Sequence, residues 1–174
     1  MLASLFLIGA LFTAPQMSVQ AASQATVEDS ADGRARAFNR MLGGIISYAR
    51  WPGERKNTAR TMCVVGTPQM TNRIAPAGPI VTVHRMTALG VTDDGGCDII
   101  FLGRMPIADR QRLIGWVRSR PVLTVTDDDA ACTHGAMFCL DGRRTSLSFS
   151  VNLDSIGRGP LRIDPRVLKI GGGE

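Results

Sequence analysis

Two histidines and four cysteines are the side chains in this sequence that could titrate or react near neutral pH. His84 falls in an alternating IVTVH stretch and reads as a packed or edge-strand residue. His134 lies between Cys132 and Cys139, where a local hydrogen bond or a ligand contact is the natural role. The run Asp127, Asp128, Asp129 lacks both the spacing and the closing glutamate of a calcium loop, so it reads as a solvated loop. Nucleophilic or acid–base catalysis needs a reactive group beside a base, or two groups with separated proton affinities. No such set is visible, and neither are GxGxxG, GxxxxGKS/T or GxSxG segments. The sequence therefore predicts a protein that is not an enzyme, with no catalytic residues, no metal ligands and no cofactor.

What remains is binding chemistry. Arg158, Arg162 and Arg166 recur at steps of four, a spacing that Pro160 keeps from being one helix. Arg158 and Arg162, with His134, are the candidate ligand-binding side chains, suited to an anion. Tyr48 and Trp51 stand beside Pro52, and with Leu161 they are the candidate partner contacts. The formal charge is +5, carried by 18 Arg and 2 Lys. These are scattered, with few aromatic residues between them, which argues against a nucleic-acid surface.

The cysteines indicate the compartment. Met1 to Ala22 carries an apolar stretch from Leu5 to Phe12 and small residues at Val19, Ala21 and Ala22, as a secretory leader does. Residues 1–22 are read as that leader, residues 23–33 as a flexible lead-in, 34–170 as one domain and 171–174 as a tail. Pro15, Gln16 and Gln20 leave too short an apolar run to span a bilayer, so no membrane insertion is expected after cleavage. Cys63, Cys97, Cys132 and Cys139 are an even set in an exported chain, which favours disulfides and a periplasmic location. Spacing alone leaves three connectivities open. Local closure of Cys132 on Cys139 is sterically natural and would leave Cys63 with Cys97.

The elements that position these residues follow from periodicity. A chain of 174 residues that is 44% hydrophobic and 20% charged fits one globular domain. Apolar residues at three- and four-residue steps from Phe38 to Ala49 give an amphipathic helix over 34–49 that ends near Pro52. Strands are expected at Thr61–Gly66, Ile80–His84, Asp98–Leu102 and Pro121–Thr126, with a helix over Pro106–Ser119. The alternation implies a mostly parallel sheet flanked by helices, a Rossmann-like sandwich without a nucleotide fingerprint. A C-terminal hairpin follows: Ala136–Leu140, a turn at Asp141 and Gly142, then Thr145–Val151. Short helices are expected within Asn152–Gly159 and Asp164–Ile170.

Several segments coincide in order: YARWP, TMCVVG, GCDIIFLG, PVLTVTDDD, GAMFCLDGRRTSLSFSVNLD, then LRIDPRVLKI. Together, over about residues 34–170, the chain resembles the YfiR family of periplasmic regulators. The resemblance implies disulfides Cys63–Cys97 and Cys132–Cys139, an α/β fold and a homodimer. It also implies a function: repression of an inner-membrane diguanylate cyclase through that enzyme's periplasmic sensor segment, and with it control of cyclic di-GMP and biofilm formation. The alternative is a periplasmic receptor for a small ligand, an anion or an amino acid, serving another membrane signalling protein.

Overall fold

The computed structural model describes residues 20–53, 58–143 and 146–170. Most of the expected leader and the 171–174 tail lie outside the described residues. Three apolar runs form the middle of the sheet: β3 (Arg60–Val65), β5 (Ile99–Leu102) and β6 (Leu123–Thr126), numbered in chain order with the elements given below. From Met62 onward in β3 and throughout the other two, every residue is buried. Near-continuous burial is what parallel strands covered on both faces require.

The full sheet has seven strands in the order β1 (Gln20–Thr26), β8 (Ser146–Val151), β7 (Phe138–Arg143), β6, β5, β3 and β4 (Val81–Met86). From β7 to β4 the neighbours are parallel, whereas β8 and β1 pair antiparallel. The fold is thus a single mixed α/β domain with a mostly parallel central sheet and a C-terminal hairpin. Along β8, Leu147, Phe149 and Val151 point inward and alternate with half-exposed serines, as the period-two pattern predicts.

One helix covers one face and two cover the other. α1 (Ala31–Tyr48) begins where the Ser30 hydroxyl accepts the Gly33 N–H at 2.9 Å, and its buried stripe includes Phe38, Met41, Leu42, Ile45 and Ile46. That stripe packs on Met62, Val64, Ile99, Phe101, Leu123 and Val125. On the opposite face, α2 (Ala88–Asp94) and α3 (Ile107–Val117) cover Cys63, Val65, Ile100 and Leu102. Both disulfides lie on this second face, Cys63–Cys97 with Cα atoms 5.8 Å apart and Cys132–Cys139 with 5.4 Å.

A second, two-stranded sheet joins β2 (Ala49–Arg50) to β9 (Arg162–Ile163), which follows α4 (Leu153–Gly157). A 3-10 turn, Pro165–Lys169, closes the described chain. Its start is capped by Asp164, whose carboxylate accepts the Arg166 N–H at 3.0 Å.

Three expectations need correction, and one helix was not foreseen. Residues read as a flexible lead-in carry most of β1 and the first turn of α1, because the edge of β8 offers Gln20–Thr26 a pairing partner. Asp141 and Gly142 are not the hairpin turn; they pair with Ser148 and Leu147 inside the ladder. A glycine fits at 142 because a Cβ there would lie 2.5 Å from the Met70 methyl. Helix α2 went unforeseen, since seven residues containing a glycine show little periodicity; Thr87 caps it by accepting the Gly90 N–H at 3.1 Å. The expected Asp164–Ile170 helix is the tighter 3-10 form, Pro165–Lys169, which Pro165 enters without losing a needed donor.

Candidate functional site

The carboxyl ends of parallel strands are where α/β sheets usually receive ligands. Here that position is closed by the chain itself. Gly66, with φ +77°, and Gly103 let the segments leaving β3 and β5 cross closely; a Cβ at Gly66 would meet the Arg104 carbonyl at 2.5 Å. From α3 the Arg110 side chain, 4% exposed, enters the crevice. Its Nη1 donates to Thr126 Oγ1 at 3.2 Å, and its Nη2 donates to the Gly103 carbonyl at 3.1 Å and to Asp128 Oδ2 at 3.2 Å. Thr126 Oγ1 in turn donates to the Leu102 carbonyl at 2.6 Å. Periodicity placed Arg110 on a helix but gave no sign that it would be buried, because the groups that satisfy it come from two other segments, the ends of β5 and β6.

The run after β6 is not the solvated loop that its composition suggests. Asp127 Oδ2 accepts the backbone N–H groups of Gln69 at 2.7 Å and Met70 at 2.8 Å, which clamps the loop after β3 to the sheet. Burial pushes the Asp127 carboxyl above its ordinary value, and these two donors only partly oppose the rise. Asp129 is also buried; its Oδ2 accepts the His134 N–H at 2.7 Å and its Oδ1 the Thr133 hydroxyl at 3.3 Å. Backbone donors make these buried carboxylates tolerable, a pairing invisible in a string of aspartates.

The predicted contact residues gather at the end of α1, though not as an exposed patch. Trp51 is 8% exposed and lies under the Arg60 guanidinium, whose carbon is 4.1 Å from the ring centroid. Tyr48 is half-buried, and its carbonyl accepts the Asp164 N–H at 2.9 Å. Leu161 is fully buried in the main core, so its side chain belongs to the packing and the folded surface offers none of it to a partner. Beside them is a cleft of about 950 Å³ whose wall includes Arg40, Arg50, Trp51, Arg60, Pro79 and Ile80.

The predicted ligand residues separate. Arg158 lines a small cavity of about 150 Å³ with Thr133 and Gly135, the neighbours of His134. Its guanidinium is already paired with Asp154 at 2.6 Å, which holds that carboxyl below its usual range. His134 Nδ1 lies 3.5 Å from Asp129 Oδ2. Arg162 is elsewhere, exposed on β9 and paired in register with Arg50. Arg166 binds Asp164 at 2.6 Å and holds that carboxyl at about 2. The steps of four in sequence thus fall on a helix end, a strand and a 3-10 turn, and no common anion site forms.

Fold and covalent framework define the class: a doubly cross-linked, three-layer α/β domain whose usual ligand crevice is filled by its own arginine. The YfiR/HmsC-like family matches residues 37–172, and the chain belongs to that family. Among solved structures the chain is similar to a carbon–sulfur lyase involved in aluminium resistance from Clostridium novyi NT. Identity is 13% and the TM-score 0.40, over 67% of this chain and 38% of that one. A likeness at that level carries no functional weight.

Proposed function

We propose that this chain is an exported, periplasmic regulator that binds the outer sensor segment of an inner-membrane diguanylate cyclase and holds it inactive, so restraining cyclic di-GMP signalling and biofilm formation. The observation that carries this reading is the family match across residues 37–172. The two disulfides support an oxidising compartment. Among the described residues no helix is long and apolar enough to cross a membrane. The reading also takes the chain as a homodimer.

Repression of this kind is a difference of affinities. The regulator must bind the inactive sensor state more tightly than the active one, and about 1–3 kcal/mol of coupling makes a useful switch. The contact face assigned here is the corner where α1 ends, with exposed Arg40 and Arg50 lining the cleft that Trp51 helps to wall and exposed Arg162 paired in register with Arg50.

The test is co-expression of the exported chain with an inner-membrane protein that has a periplasmic sensor segment and a GGDEF output, with cellular cyclic di-GMP as the readout. Repression lowers the level, and a double change of Arg50→Glu and Arg162→Glu restores it. An unchanged level, with the two proteins failing to co-purify from detergent-solubilised envelope, overturns the reading.

A further inference from the structure

The sheet ends at β4 on the side away from the hairpin, and among the described residues β3 is the only strand that pairs with it. Its six residues match Arg60–Val65 one for one, with no bulge. The opposite edge, β1, is broken by a register shift between Ala22 and Ala25. Bulges, prolines and lysines on the strand are the usual means by which an edge avoids further pairing, and β4 carries none of them.

The Arg60 N–H donates to the Ile80 carbonyl at 2.9 Å, which turns the main-chain groups of the even-numbered residues toward β3. Those of Val81, Val83 and Arg85 therefore face away from the sheet. An antiparallel copy related by a two-fold axis at Val83 sets Val83 opposite its own counterpart and Val81 opposite Arg85. Every outward N–H and C=O of the three residues is then paired across the axis. Neighbouring two-fold registers satisfy fewer groups. An axis at Thr82 brings Arg85 opposite Pro79, which has no N–H. An axis at His84 brings Val81 opposite Thr87, whose carbonyl already accepts the Val91 N–H, and an axis at Arg85 sets two arginines face to face.

The side chains suit the same register. Val81 and Val83 are half-buried at the rim of the α1 layer, and the pairing covers them with Val83 and the hydrocarbon stem of Arg85 from the second copy. The Arg85 guanidinium donates to the Asn72 carbonyl at 2.8 Å, which draws its charge toward the loop after β3. Thr82 comes opposite His84, and Ile80, 62% exposed, comes opposite half-buried Met86.

We infer that β4 is the surface through which two copies of this chain join, antiparallel and with the two-fold axis at Val83, so that two seven-stranded sheets become one continuous sheet. The inference rests on the homodimer reading above and names the surface that reading leaves open; it does not depend on the cyclase.

The oxidised chain is followed by sedimentation equilibrium from about 1 to 100 µM, with hydrogen exchange read residue by residue at both ends of that range. A dimer is expected at the upper end, with the Val81, Val83 and Arg85 amides protected there as well as those of Thr82 and His84. On dilution to the monomer these three amides should exchange freely while Thr82 and His84 stay protected by β3. Val83→Pro removes an N–H that β3 does not use, so the fold should tolerate it, and dimer affinity should fall at least about tenfold because two bonds across the axis are lost. If that variant does not fold, exchange in the unaltered chain decides alone. A monomer at every concentration overturns both the homodimer reading and the β4 surface. A dimer whose Val81, Val83 and Arg85 amides exchange as freely as in the monomer, or a folded Val83→Pro chain of undiminished dimer affinity, overturns the β4 surface and leaves the homodimer standing.

Discussion

The two faces of the sheet are held by different means. The layer shared with α1 holds four fully buried phenylalanines among the described residues, Phe38 of the helix and Phe101, Phe138 and Phe149 of the sheet, with Phe38 and Phe101 meeting edge-on at 5.7 Å between centroids. Against α2 and α3 the buried residues are smaller: valines, alanines, Ile100, Leu102 and Leu113, together with all four half-cystines. Large side chains bury enough apolar area to hold a helix by solvent exclusion alone. A thinner layer buries less, and there covalent closure of 34- and 7-residue separations adds what packing lacks.

The largest expected effect tests that division directly. Replacing all four cysteines by serine removes bridges whose loop-closure contributions are on the order of 4 and 2 kcal/mol, enough to unfold many domains of this size. In mild reductant, amide exchange should quicken first in α2 and α3, with α1 protected until global unfolding. Earlier loss of protection in α1 would break the comparison. Next, Phe38→Ala should cost about 3–5 kcal/mol in urea unfolding. The cost should be the same within error in oxidised and reduced protein; a large difference would mean the faces are coupled through the sheet.

The carboxyl end of the sheet joins the two faces, and Arg110→Ala should cost about 3 kcal/mol by emptying a buried space and removing a donor from Thr126 Oγ1 and the Gly103 carbonyl, while Asp128 keeps Arg104. Arg110→Lys should recover only part of this loss, since an ammonium cannot span three acceptors in the guanidinium's fork. The smallest effect expected is at Asp127. Its carboxyl is raised in the folded state, so its ionisation costs stability as pH rises through and above the ordinary aspartate range. Asp127→Asn should therefore match or exceed the native protein in stability at pH 7, with the difference closing as pH falls below about 4. A growing difference at low pH would show that the two backbone donors outweigh burial.

Legibility in the sequence followed the range of the interactions. The order of strands and helices, the α1 stripe, the inward side of β8 and the cross-link between Cys132 and Cys139 rest on near neighbours, and the pattern of residues carries them. What stayed hidden depends on segments far apart in the chain. Arg110 looked like any exposed helix arginine until Gly103, Thr126 and Asp128 were brought to it. Leu161 looked like a surface anchor because a lone leucine between Pro160 and Arg162 has no periodicity to declare it core. The aspartate run looked wet because its partners are main-chain donors, which composition cannot reveal.

Arg110 has one more consequence. A ligand bound from solution comes and goes with its concentration, but a guanidinium attached to the backbone is present at an effective concentration that no dilution, dialysis or competing salt can lower. The crevice that related architectures leave to metabolites is therefore saturated under every condition in which the protein is folded. Whatever this molecule senses in its surroundings, it must sense it somewhere else.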